Sequence, residues 1–250
     1  MHDVQATPST TPLRVKLCGI RSRADLAIAL NAGADAVGFI VGARHRTEDA
    51  LSAEAAAALV AGLPPFVSSV MVTHLQQATP IVDLARRVGA TTLQLQDALA
   101  PDELQAIRRA LPGVKLIKAV HVGMREAGTG EAGIGEADRN AGPQALAEAL
   151  AIEPLVDALL LDSRTADRIG GTGLPHDWSI SRRIVVQCRR PVILAGGLRP
   201  ENLQAALQAV QPAGVDVNSG IEVGGGHKDP QRAEAFLRIC REWSRSPLTP

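Results

Sequence analysis

Apolar residues recur along this chain in two alternating rhythms. Short, nearly continuous apolar runs fall at Val15 to Cys18, Ala36 to Ile40, Val67 to Val72 and Thr92 to Leu95, then at Lys115 to His121, Ala158 to Leu161, Val192 to Leu194 and Val215 to Val217. Between them lie stretches with one apolar stripe: Arg23 to Ala32, Ser52 to Ala61, Ile81 to Val88, Pro101 to Ala110, Gln144 to Ala151, Ile180 to Cys188, Glu201 to Val210 and Pro230 to Glu242. Continuous runs fit parallel strands buried on both faces, and stripes such as Leu104, Ile107 and Leu111 fit helices with one buried face. Eight strand–helix pairs predict an α/β chain folded as a single (β/α)8 TIM barrel over residues 13–245. An open doubly wound sheet shares the local signature, so the count favours the barrel without proving it.

Two segments stand outside the repeat. Residues 1–12, polar with Thr and Pro, read as a flexible N-terminal tail. Residues Met124 to Gly142 carry repeated Gly, Ala and Glu without an apolar period, and read as a flexible insertion after the fifth strand. An insertion there lies on the C-terminal rim, where barrel sites are built, as a lid or as a spacer.

Composition narrows the functions open to such a barrel. The 250 residues are 46% hydrophobic and 21% charged, with 26 basic against 26 acidic side chains, so no bulk field draws nucleic acid or an anionic membrane. Aromatics are 2% and tyrosine is absent, which leaves little to stack on bases. The three cysteines Cys18, Cys188 and Cys240 are odd in number and far apart, and no Cys/His spacing suggests a structural metal. The first residues lack the order of a secretion signal, and no run is long enough to span a bilayer. These features imply a cytoplasmic protein with neither nucleic acid nor membrane as partner.

Chemistry in a barrel gathers at the C-terminal ends of the strands, so polar residues closing strand runs are the candidates. Cys18 closes the first run, with Gly19 turning the chain directly after it. A free cysteine alone is most often a small buried hydrophobe; at the mouth, a positive neighbour brings its thiol within range of base chemistry. Asp162 follows the four apolar residues Ala158 to Leu161. Its ordinary use is a turn or helix cap; in a water-poor mouth its pKa rises and it becomes a proton donor. Gly196 and Gly197 follow the seventh strand, and Ser219 and Gly220 follow the eighth. Those are the two loops that grip phosphate in such barrels, although glycine there also serves simple tight turns. Gly170-Gly171-Thr172-Gly173 lacks the spacing of a nucleotide fingerprint.

Together these residues resemble a known family. Val15-Lys16-Leu17-Cys18-Gly19-Ile20 and Asn31-Ala32-Gly33-Ala34-Asp35-Ala36-Val37-Gly38-Phe39 look like the opening of phosphoribosylanthranilate isomerases. Gly170-Gly171-Thr172-Gly173 with Asp177-Trp178 is similar to that family's sixth loop, and Leu194-Ala195-Gly196-Gly197-Leu198 with Pro200-Glu201-Asn202 to its seventh. Val215-Asp216-Val217-Asn218-Ser219-Gly220-Ile221-Glu222 with Lys228-Asp229 is similar to its eighth. The resemblance implies an Amadori rearrangement in tryptophan biosynthesis, of N-(5-phosphoribosyl)anthranilate to 1-(2-carboxyphenylamino)-1-deoxyribulose 5-phosphate. It implies no metal and no organic cofactor. It also implies Asp162 as general acid on the ribose ring oxygen, Cys18 as general base on the C2 proton, and phosphate held by Gly196, Gly197, Ser219 and Gly220. Arg44, Gln94 and Asp216 are the expected substrate-binding residues, with Arg44 taken over Arg46. The partner implied is a phosphorylated small molecule, and the assembly a monomer or homodimer.

The chain departs from the family pattern in two motifs, and its connections from Met124 to Gly142 and from Ser163 to Ile169 are longer than the family's usual ones. Gly42-Ala43-Arg44-His45-Arg46 matches the family's Ser-x-Arg-Tyr only approximately, and Gln94-Leu95-Gln96-Asp97 stands where the family has Gln-Leu-His-Gly. The second departure keeps two other readings open: an isomerase acting on a related aminated sugar phosphate, and a barrel that binds a phosphorylated ligand without turnover. A binder needs neither Cys18 nor Asp162, which favours the enzyme.

Overall fold

Strand and helix alternate through the computed structural model, which describes residues 12–43, 49–123, 136–164 and 177–245. The eight strands of the barrel are β1 (Arg14–Leu17), β2 (Ala36–Val41), β3 (Ser68–Thr73), β4 (Thr92–Leu95), β5 (Lys115–Gly123), β6 (Ala158–Arg164), β7 (Val192–Leu194) and β8 (Gly214–Val217), besides three two-residue strands at Ala50–Leu51, Glu222–Val223 and His227–Lys228. The helices are α1 (Arg23–Ala32), α2 (Ala53–Val60), α3 (Ala78–Val88), α4 (Pro101–Ala110), α5 (Glu136–Ile152), α6 (Trp178–Gln187), α7 (Pro200–Val210) and α8 (Pro230–Arg245). Each barrel strand pairs in parallel with the next, and β8 pairs with β1, so the sheet closes on itself. Closure leaves no open barrel edge and removes the open-sheet alternative.

Local chemistry sets the element ends. Ser22 caps α1 by accepting from the Asp25 N–H at 3.0 Å, and Gly33 ends that helix with φ 87°. Pro101 and Pro200 open α4 and α7, where a missing N–H costs nothing. On the outer faces of the strands Leu17, Val37, Phe39, Met71, Leu93, Leu116, Leu159 and Val215 pack against the helices in one large apolar layer.

Inside the ring the apolar residues form two separate clusters. Cys18, Ile40, Val70 and Val72 make one on the β1–β3 side; Ile117, Ala119, Leu160 and Ala195 make the other on the β5–β7 side. The intervening strands β4 and β8 bring in Gln94, Gln96 and Asp216, and all three are buried. A polar band therefore crosses the barrel between two apolar halves.

Helix α5 begins at Glu136, so residues 136–142 of the expected insertion are helical. Gly142-Pro143 looks like a helix start, because proline is favoured in the first turn, but here Pro143 lies inside the helix. Alanine and glutamate upstream carry helix propensity without any apolar period to reveal it. The rest of that insertion, residues 124–135, lies outside the described residues, as does residues 1–11 of the expected tail.

Ile107 of α4 is fully buried in the outer layer. Ile107→Ala should destabilise the fold by about 2–5 kcal/mol, read from the urea midpoint at constant slope. A change within ~0.5 kcal/mol would mean that α4 does not seal the barrel as its packing suggests.

Candidate active site

All eight strands run the same way, so their C-terminal ends share one rim, and the candidate residues gather there. Strand β1 ends at Leu17, and Cys18 follows with its N–H donating to the Val217 carbonyl at 2.8 Å. Asp162 lies within β6, paired in register with His121 of β5. Gln94 belongs to β4 and Asp216 to β8. Arg44 and Arg46 fall outside the described residues, as does the glycine-rich segment 170–173.

The acid candidate is buried and hydrogen-bonded on both oxygens. Its Oδ1 accepts the Ser163 N–H at 2.8 Å and its Oδ2 accepts the Gln96 Nε2–H at 2.8 Å. Burial raises its pKa from 3.8 to about 6; the Ser163 N–H pulls against that, the Asp216 charge adds to it, and the Gln96 amide and Lys16 ammonium oppose it. The group thus keeps its proton two units higher than an ordinary aspartate, as a donor working near neutral pH requires.

Gln94 reaches the same acid through one intermediary. Its Nε2 donates to Gln96 Oε1 at 2.9 Å, while its own Oε1 is buried without a hydrogen-bond partner among the described residues. Asp216 is similar: Oδ2 accepts from Lys16 Nζ at 2.8 Å, and Oδ1 is buried without a partner among the described residues. Unsatisfied buried acceptors are costly in a core, and both belong to residues expected to touch substrate.

Lys16 is the residue the sequence reading did not single out. It is buried in β1 between Val15 and Leu17, beside both Asp216 and Cys18. Burial opposes its charge, but the Asp216 carboxylate and Cys18 sulfur more than offset this and leave its pKa above the ordinary value. The Cys18 thiol is pushed up by burial and by Asp216, and pulled down by Lys16 and Lys228. The available signal was a charged residue in the middle of an otherwise apolar strand run.

Gln96 was noted only as a departure from the pattern, and its contact with Asp162 was not foreseen. Asp97, the other departure, accepts from His74 Nδ1–H at 2.9 Å on the rim.

The two glycine-bearing loops meet. Gly196 and Gly197 have φ of 80° and 65°. A Cβ on Gly220 would run into the Leu198 carbonyl oxygen, so loop β8–α8 lies directly against loop β7–α7. Asn202 ties the second loop to its helix, accepting the Arg199 N–H at 2.9 Å and donating to the Gly197 carbonyl at 2.9 Å. The N-terminus of α7 thus backs the glycine turn, an arrangement suited to an anion. Ser219 and Gly220 form a short 3-10 turn with Ile221.

No group of three or more His, Cys, Asp and Glu side chains suited to a metal ion occurs among the described residues. No helix among them is long and apolar enough to cross a membrane.

Comparison with known proteins bears on this constellation. Residues 136–238 match the family model described as N-(5'phosphoribosyl)anthranilate (PRA) isomerase. The chain is 38% identical over 231 residues to N-(5'-phosphoribosyl)anthranilate isomerase 2 of Methanosarcina mazei, covering 92% of this chain and 94% of that one. The phosphoribosyl anthranilate isomerase structure from Thermotoga maritima superposes with a TM-score of 0.71 at 31% identity, covering 92% of this chain and 99% of that one. Another solved phosphoribosyl anthranilate isomerase, in complex with reduced 1-(o-carboxyphenylamino)-1-deoxyribulose 5-phosphate, has a TM-score of 0.70 at 28% identity, with coverage of 92% and 99%.

The environment of Asp162 has a consequence for stability. A folded-state pKa raised from 3.8 to about 6 favours folding below pH 3.8, and that contribution is lost as pH rises through about 6. The ionised carboxylate then costs up to about 3 kcal/mol. Asp162→Asn should therefore stabilise the protein at pH 7.5, with the gain fading to nothing near pH 4. Urea unfolding at the two pH values checks this, and an equal difference at both would refute it.

Proposed function

This chain belongs to the N-(5'-phosphoribosyl)anthranilate isomerase family, and on that premise we propose that Asp162 and Cys18 carry its aldose–ketose chemistry. The reaction is the rearrangement of N-(5-phosphoribosyl)anthranilate to 1-(2-carboxyphenylamino)-1-deoxyribulose 5-phosphate. The observation supporting these roles is a buried Asp162, its pKa raised to about 6 by burial, and a buried Cys18 on one mouth, beside two touching glycine loops.

Asp162 gives its proton to the ribose ring oxygen as the C1–O bond breaks and the amine lone pair forms C1=N. The Cys18 thiolate takes the C2 proton, and the C–H electron pair becomes C1=C2 while the iminium nitrogen is neutralised. The resulting enolamine gains a proton at C1 and loses one from the C2 hydroxyl, giving the ketone. Oppositely placed acid and base fit a rearrangement that moves protons without net redox change.

The loops after β7 and β8 hold the phosphate through backbone N–H groups at Gly196, Gly197, Ser219 and Gly220, backed by the N-terminus of α7. Gln94 Oε1 and Asp216 Oδ1 accept hydroxyl or amine hydrogens of the substrate, which satisfies both unpaired acceptors. Arg44 completes the substrate contacts. In this reading residues 13–245 act as one cytoplasmic barrel, as a monomer or homodimer, on a phosphorylated small molecule.

A second reading rests on Gln96 and Asp97: their contacts with Asp162 and His74 remodel the rim, which favours a related aminated sugar phosphate as substrate.

Mixing purified protein with freshly made phosphoribosylanthranilate should abolish its anthranilate-type fluorescence far above the spontaneous rate. Cys18→Ala and Asp162→Asn should each lower kcat by at least about 100-fold, because acid–base catalysis contributes roughly 10²–10⁴. Near-native turnover in either variant would remove that residue from the mechanism. Failure of the folded native protein to consume this substrate would favour the second reading. Gly220→Ala, which drives a Cβ into the Leu198 carbonyl, should raise KM and weaken inhibition by inorganic phosphate. Unchanged phosphate inhibition would move the grip elsewhere.

A further inference from the structure

Inside the barrel, the Lys16 ammonium and Cys18 sulfur converge on a space where another strand lacks a side chain. A Cβ on Gly38 of β2 would lie 2.7 Å from Cys18 Sγ, 2.9 Å from Lys16 Cε and 3.0 Å from Lys16 Nζ. Gly38 is not among the residues with positive φ, so space and not backbone conformation is what demands glycine here. On its other side the ammonium donates to Asp216 Oδ2 at 2.8 Å, and the two side chains are only 5% and 8% exposed.

We propose that Lys16 is the positioning residue for the base: anchored by Asp216 and admitted by Gly38, its ammonium stabilises the Cys18 thiolate. This rests on Cys18 being the base. A buried thiol is a poor thiolate, and an adjacent cation offsets part of the loss of water, although burial still leaves the Cys18 thiol raised on balance. The charged groups acting on the sulfur are Lys16 on the preceding strand β1, Asp216 on β8 and Lys228 in the segment between β8 and α8. Asp216 therefore competes with the sulfur for one ammonium. A substrate hydrogen donated to Asp216 Oδ1 draws on that carboxylate's charge and leaves more of the ammonium's field to Cys18. Lys16 stays protonated throughout; the proton taken from C2 goes to sulfur.

The competition predicts effects of opposite sign, which a purely structural role would not produce. The readout is iodoacetamide alkylation at pH 8, resolved by peptide mass spectrometry. Cys188 and Cys240, whose thiols are raised to about 11 and about 12, serve as internal references. Lys16→Met should slow Cys18 alkylation about tenfold or more, equivalent to one pKa unit or more, whereas Asp216→Asn should speed it severalfold. Reference cysteines should react at unchanged rates in both variants. If Lys16→Met fails to fold, Gly38→Ala replaces it and should slow Cys18 by pushing sulfur and ammonium apart. Native alkylation in the Lys16 or Gly38 variant, or same-sign shifts for Lys16 and Asp216, would overturn the proposal. Turnover by Cys18→Ala would instead overturn the base assignment, and the alkylation series keeps the two failures apart.

Discussion

Closing eight parallel strands into a ring brings β1 against β8 in a register that sets Lys16 opposite Asp216. Neither charge has an obvious place in a barrel interior. A single buried ion costs several kcal/mol, and the pair is tolerable only while both partners are present and in contact. The 2.8 Å contact exists only in the closed barrel, because 200 residues separate the two along the chain. Fold closure and site chemistry are thus one constraint. The strands that complete the ring also deliver the cation beside Cys18 and the carboxylate near Asp162.

The same scarcity of water that makes this pair costly raises the pKa of Asp162. A carboxyl that ionises at about 6 is a liability to the fold at neutral pH, and nearby N–H donors only partly relieve it. Gln96 and the Ser163 backbone occupy both oxygens, fixing the carboxyl plane while leaving the burial cost largely in place. In the proposed chemistry, this is the point where a proton must be held loosely enough to give away. Gln94 Oε1 and Asp216 Oδ1, buried and without partners among the described residues, add to this cost, and the proposed substrate would relieve it.

Around the mouth, charged residues tie the loops together. Lys228 is buried and donates to Glu222 at 2.5 Å and to the Asn218 side chain; Asn218 in turn donates to Asp49 at 3.1 Å. Arg21 adds a 2.6 Å bond to the Gly225 carbonyl and lies 3.9 Å from Asp49. Residues from the loops after β1, β2 and β8 thereby brace one side of the rim. The glycine turns can bare their backbone because side chains elsewhere hold the loops in place.

Much of this was legible along the chain. Strand runs and helical stripes located all eight pairs, every end but the start of α5 to within about three residues, because burial on two faces and burial on one leave different periods. Cys18 and Asp162 stood out because polar residues at the ends of apolar runs are anomalous. Helix α5 was partly hidden: its first turns carry no stripe and Gly142-Pro143 imitates a boundary. Arg44 remains an inference from sequence, as it lies outside the described residues. What the sequence determined by itself was the local pattern: which segments bury one face, which bury two, and which residues break that rule. What only the tertiary structure decided was which rule-breakers meet. Lys16 with Asp216, Gln96 with Asp162, and Gly38 beside the sulfur are contacts across strands, set by barrel closure and register. Local periodicity carries no information about either.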